Sequence, residues 1–100
     1  MKIPDVRCGE FKIIRVDGTE ELVEEKPTLG AVYRAIGCEC VDTVTLDHES
    51  MIVMMVDDTG MVDGKPVNPK ATELYHQRCK PGTLHQIHGD VAIVNDEDFS

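Results

Sequence analysis

The sequence predicts an α+β domain: a mixed sheet of four or five strands carrying two helices, with elements in the order ββαββαβ. Three observations point there. Short runs rich in Val, Ile and Thr recur between turn residues, two segments carry helix-capping signals, and one hundred residues give room for one core. A chain of that length buries roughly two thirds of its unfolded surface, enough for a single domain. That domain is placed over residues 11–99, with 1–10 as an N-terminal extension. The element order suggests a β-grasp-like arrangement, with the first helix packed on the sheet and the second at one edge.

The first pair of strands is read from "EFKIIRVDGTEELVEEK", where Asp17-Gly18 separates the run Phe11 to Val16 from Thr19 to Glu25. In "KPTLGAVYRAIG", Thr28 is placed to cap a helix. Leu29, Val32, Tyr33 and Ile36 form its apolar stripe, and Gly37 ends it in a left-handed turn. "VDTVTLD" alternates, with Val44 and Leu46 on one face and Thr43 and Thr45 on the other. It suits a half-buried strand. "MIVMMV", Met51 to Val56, is apolar at every position and suits a central one. "DDTG" then turns, and "MVDGKPV" is extended but cannot be an inner strand, since Pro66 has no N–H to give. Asn68-Pro69 is a cap followed by Pro at the first helical position, so a second helix is expected from Pro69 to about Cys79. "GDVAIVND" supplies a last strand before the acidic tail Asp96 to Asp98.

Ten Lys and Arg against nineteen Asp and Glu give a net charge of −9. Such a field repels nucleic acid and membrane surfaces and attracts cationic patches on proteins. Direct nucleic-acid binding and membrane binding are therefore not expected, and a host protein is the expected partner. The longest apolar run is six residues, far below the roughly twenty that span a bilayer. Four cysteines without framework spacing and an N-terminus without an apolar leader suit a cytoplasmic protein with reduced thiols.

No site for chemistry is specified locally. "DDTGMVDG" resembles a calcium loop only in composition, because Met61 stands at the third ligand position and Asn68 at the twelfth. Cys79, His85 and His88, with His76 one helical turn before Cys79, are metal-binding types without a common zinc spacing. Neither a P-loop nor a nucleophile elbow, dinucleotide fingerprint or H-E-x-x-H occurs. No catalytic residue, metal or cofactor is expected.

The stretch Lys65 to Gly89 is different. It holds Lys65, Lys70, Arg78 and Lys80 with one acid, Glu73, whereas Ala35 to Gly64 contains no Lys or Arg. Arg78 and Lys80 suit the negative end of the second helix. Lys65 and Lys70 sit near its positive end, where cations are unfavourable by a few tenths of a kcal/mol unless an anion offsets them. That anion is an external ligand or partner, Asp63, or an acid on the sheet. Lys65, Asn68, Lys70 and Arg78 are thus the candidate anion- or partner-binding residues.

With "VDTVTLD", "MIVMMVDDTGMVDGKPVNPKAT" and "HGDVAIVNDEDF" in view, the chain resembles a family of small uncharacterised domains encoded by actinobacterial and Gram-positive phages, plasmids and other mobile elements. Gly60, Gly64, Pro66 and Asn68 fall at that family's recurrent positions, while Asn95 stands where a Gly often closes the last strand. The resemblance implies a mobile-element context and no catalytic residues. The expected function is a non-enzymatic protein that binds a host macromolecule. The rival expectations are an oligomeric sponge or sensor for an anionic small molecule such as a nucleotide, and an acidic DNA-mimic inhibitor.

Overall fold

The computed structural model describes residues 6–38, 40–58, 64–78 and 86–99, with 78 and 99 described by backbone alone. The elements are β1 (Phe11–Ile14), β2 (Glu20–Val23), α1 (Leu29–Ile36), β3 (Val41–Asp47), β4 (Ile52–Asp57), α2 (Pro69–Arg78) and β5 (Val91–Asn95), followed by a 3₁₀ turn, Asp96–Phe99. The order ββαββαβ is the predicted one. The five strands form one sheet in the spatial order β2-β1-β5-β4-β3. Every neighbouring pair is antiparallel, so the expected mixed sheet is corrected to an antiparallel one. The cause is the long connection through α2, which leaves β4 and enters β5 at the same end of the sheet. It therefore behaves as an enlarged hairpin and not as a parallel crossover.

The position of α2 also differs from expectation. It lies across the sheet face opposite α1 and not at an edge. Alternate residues of the central strands point into two separate cores. Ile52, Met54 and Val56 join Ile14, Leu46, Val91 and Ile93 beneath Ala71 and Leu74 of α2. Val53 and Met55 join Phe11, Ile13, Ala92 and Val94 beneath Val32 and Ile36 of α1. A strand sandwiched in this way has no solvent face, which is why β4 is buried at all six positions. Each of the Val, Ile, Leu, Met and Phe side chains among them contributes about 1.5–3 kcal/mol by leaving water.

The local signals acted largely as read. The Thr28 hydroxyl accepts the Ala31 N–H at 3.1 Å, and Gly37 takes φ 67° after the last turn of α1. Leu29, assigned to the apolar stripe, instead stays 47% exposed beside the cap. In the first hairpin the loop has three residues, not two: Arg15 donates to the Thr19 carbonyl, and Gly18 donates back to the Arg15 carbonyl. Gly18, at φ 90°, supplies the left-handed residue this loop requires. Asp17 holds the turn by accepting both the N–H and the hydroxyl of Thr19.

The chain ends are joined: Val6 lies in the α2-side core, Gly9 donates to both carboxylate oxygens of Asp98, and Cys8 donates to Glu97. At the far edge of the sheet runs β3, whose register with β4 shifts between Thr45 and Asp47. Asp58 donates its N–H to the Cys40 carbonyl, which marks 40–58 as a hydrogen-bonded pair. In an antiparallel ladder such pairs alternate, so Asp42 and Val44 point their backbone groups at β4. Val41, Thr43 and Thr45 therefore point theirs outward.

Candidate functional site

The basic stretch is built as a clasp. Its extended half, Lys65 to Asn68, lies beside Ile87 to Asp90, joined by a Val67–His88 bridge. The Asn68 N–H bonds to Ile87 O and the Gly89 N–H to Pro66 O, both at 2.8 Å. Pro66 has no N–H to return to Gly89, and α2 begins at Pro69, so the pairing stays this short.

Asn68 fastens the clasp to everything around it. Its side chain is fully buried, and its amide donates to Ile14 O at 2.9 Å and Gly89 O at 3.1 Å. Its carbonyl oxygen accepts the Ala71 N–H at 3.1 Å, capping α2 as predicted. One turn on, the Thr72 hydroxyl accepts the Ile87 N–H at 2.9 Å, so the returning half of the clasp is tied to the helix as well.

Lys65 and Lys70 meet acids of the sheet. The Lys65 ammonium bonds to the carboxylate of Asp57, at the end of β4, and to Gly37 O at 2.7 Å. It thus sits at the negative C-terminal end of α1, where a cation is favourable, and not at the positive end of α2. Its stem crosses Gly89, where an added Cβ would stand 3.0 Å from Lys65 Cδ. Lys70 pairs with Glu20 of β2 at 3.2 Å, and Lys12 approaches the same carboxylate at 3.7 Å. Arg78 ends α2, roughly 13 Å along the helix from Pro69, apart from the other three. Asp63, Cys79, Lys80 and His85 lie outside the described residues, and so do residues 59–62 of the stretch that resembles a calcium loop in composition.

Between α1 and the clasp is an open depression of about 270 Å³, lined by Val16, Ile36, Gly37, Lys65, Pro66, Gly89 and Asp90. Its second charged group, Asp90, accepts from Arg15 at 2.9 Å and from the Val16 N–H at 3.0 Å. Arg15 also reaches Glu21 at 2.7 Å and Ala35 O at 3.2 Å. Asp90 first, then Glu21, hold that guanidinium more firmly charged. Sequence reasoning did not single out Arg15, Asp57 or Asp90. Asp57 stands inside a turn motif, and Asp90 gave no signal beyond its place before a strand.

Two of the thiols are held toward their neutral form. The Cys8 thiol is pushed up by its hydrogen bond to Glu97, and the Cys38 thiol by burial and then by Asp57. Both favour the less nucleophilic thiol form. His88 Nδ1 faces Lys65 O at 2.8 Å and so carries the proton when the ring is neutral. Among the described residues no group of three or more His, Cys, Asp or Glu is placed to hold a metal ion, and no helix is long and apolar enough to cross a membrane.

The outer surface is acidic. Glu20, Glu21, Glu24 and Glu25 are exposed along the β2 hairpin, Asp42 and Asp58 at the open end of the β3–β4 hairpin, and Glu49 in its turn. Among the described residues the exposed cations Arg7, Lys26 and Arg34 lie on three separate segments.

Residues 11–100 match the model of a domain of unknown function, DUF3846. No curated protein matches the chain, and no solved structure does.

Proposed function

The chain belongs to the DUF3846 family, and from that premise we propose a non-enzymatic protein, carried by a phage or mobile element, that binds a host macromolecule in the cytoplasm through its acidic surface. One observation carries the reading: Lys12, Arg15, Lys65 and Lys70 are each paired with an acid of the same chain, while the surplus carboxylates face outward. What the molecule offers a partner is negative charge, which steers association with a cationic protein surface. The element order is the feature that supports a β-grasp-like relationship.

The test is capture from a host lysate on the immobilised chain at about 0.01 M salt, with release near 1 M, where the screening length falls from roughly 30 Å to 3 Å. A specific macromolecule that is retained and then released supports the reading; recovery of none at low salt refutes it. If the retained protein is competed away by duplex DNA, the acidic DNA-mimic form of the proposal is favoured.

A second reading, an oligomeric sponge or sensor for an anionic small molecule, is supported by the depression beside Lys65. Native mass spectrometry separates the two, since only this reading predicts a multiple of 11.1 kDa carrying a retained ligand.

A further inference from the structure

The β3 edge combines three independent features. It is the longest strand of the sheet, seven residues, and among the described residues its outer side pairs with no other strand. The backbone groups of Val41, Thr43 and Thr45 point outward there, as the ladder to β4 requires. One of the outward donors is already occupied: the Thr43 N–H is bonded to the Asp42 carboxylate at 2.9 Å. Asp42 itself is exposed, Asp58 beside it on the chain leaving β4 is an exposed acid too, and so is Glu49 in the turn at the other end of the β3–β4 hairpin.

We infer that the β3 edge is a guarded docking strand for an extended, basic peptide segment of a partner protein. The inference rests on the acidic-partner reading above and names the surface and the mode. An incoming strand takes the outward groups of Val41, Thr43 and Thr45, and to do so it displaces Asp42 from the Thr43 N–H. A neutral segment leaves that carboxylate without its hydrogen bond. A segment with Lys or Arg opposite Asp42 gives it a new ion pair, so the guard selects for positive charge. A second copy of the chain is the poorer occupant, because antiparallel self-pairing centred on Thr45 sets Val41 against Glu49 and brings two acidic edges of a −9 chain together.

The test uses the full chain, labelled for NMR, and an acetylated, amidated peptide of alternating Thr and Lys, roughly eight residues long. The same peptide with Glu for Lys is the control. The basic peptide is expected to slow hydrogen exchange at the Val41, Thr43 and Thr45 amides and to bind less as salt rises; the acidic one should do neither. Thr43→Pro removes an outward N–H without removing a β3–β4 hydrogen bond and should abolish binding. Asp42→Lys should weaken the basic peptide about tenfold, the effect of turning one exposed ion pair repulsive, and admit the acidic peptide. Should Thr43→Pro fail to fold, Asp42→Lys alone decides.

Three results overturn the inference: no binding, binding that leaves those three amides unprotected, or a free chain already dimeric with them protected. A host macromolecule captured equally by wild type and Thr43→Pro refutes the docking strand and leaves the acidic-surface reading standing. Peptide binding with those amides protected, but no host macromolecule captured, does the reverse.

Discussion

Replacing Asn68 by Ala removes three hydrogen bonds from one buried point. Loss of the cap that receives the Ala71 N–H costs about 1 kcal/mol. The bonds to Ile14 O and Gly89 O are worth about 1 kcal/mol each, in a place where water does not substitute. The expected loss is about 3 kcal/mol, or a fall of roughly 12–24 °C in Tm for a domain of this size. Asn68→Asp isolates the amide from the shape. It keeps the acceptor for Ala71 but turns an oxygen toward two carbonyl oxygens, so at neutral pH it should cost more than Asn68→Ala. Burial and those carbonyls raise the folded-state pKa of the introduced carboxyl above its unfolded value of roughly 3.9. The added penalty is therefore present above the raised value and relieved as pH falls through it. Urea unfolding followed by circular dichroism at about pH 7 and about pH 5 measures both effects. The reasoning fails if Asn68→Ala lies within about 1 kcal/mol of wild type, or if Asn68→Asp shows no narrowing of its deficit on acidification relative to wild type.

Lys65→Met should destabilise by about 2–3 kcal/mol, since it takes the Lys65 ammonium away from the Asp57 side chain, 1% exposed, whereas Lys70→Met should change stability by less than about 0.5 kcal/mol. Adding Asp57→Asn to Lys65→Met should restore part of the loss, read by the same unfolding curves. Burial raises the Cys38 thiol pKa, so near pH 8 iodoacetamide should label the exposed Cys40 before Cys38, as mass mapping of the modified peptides would report. The Asp17 carboxyl is held below the usual range, chiefly by the Thr19 hydroxyl. The stability it lends the turn is present above the unfolded pKa and lost as pH falls through the lower folded value. An NMR titration should show its midpoint rising in Thr19→Val.

What could be read beforehand was whatever depends on near neighbours in the chain. Thr28 and Gly37 bound α1 because a cap and a left-handed stop act within one turn of the residues they serve. The unbroken apolar run of β4 announced a central strand for a similarly local reason. The face taken by α2 was not legible, because it depends on which side of the sheet remains uncovered after α1 has packed. Of the candidate residues, Asn68 was correctly read as a cap, but its bonds to Ile14 and Gly89 span 54 and 21 positions. The partners of Lys65 and Lys70 were confined to Asp63, a sheet acid or an external anion. Asp57 and Glu20 are sheet acids, brought there by the hairpin and by the return of β4.

The two cores share one backbone, and this sets how the molecule opens. Along β4 and β5 consecutive side chains serve opposite helices, so detaching either helix exposes every second residue of both central strands to water. Neither half can melt as a separate unit while the other keeps its strands protected. The amides of Val53, Met54, Ala92 and Ile93 should then exchange with solvent only through global unfolding, and at one common free energy, while the β2 hairpin exchanges through local fraying at the sheet's margin.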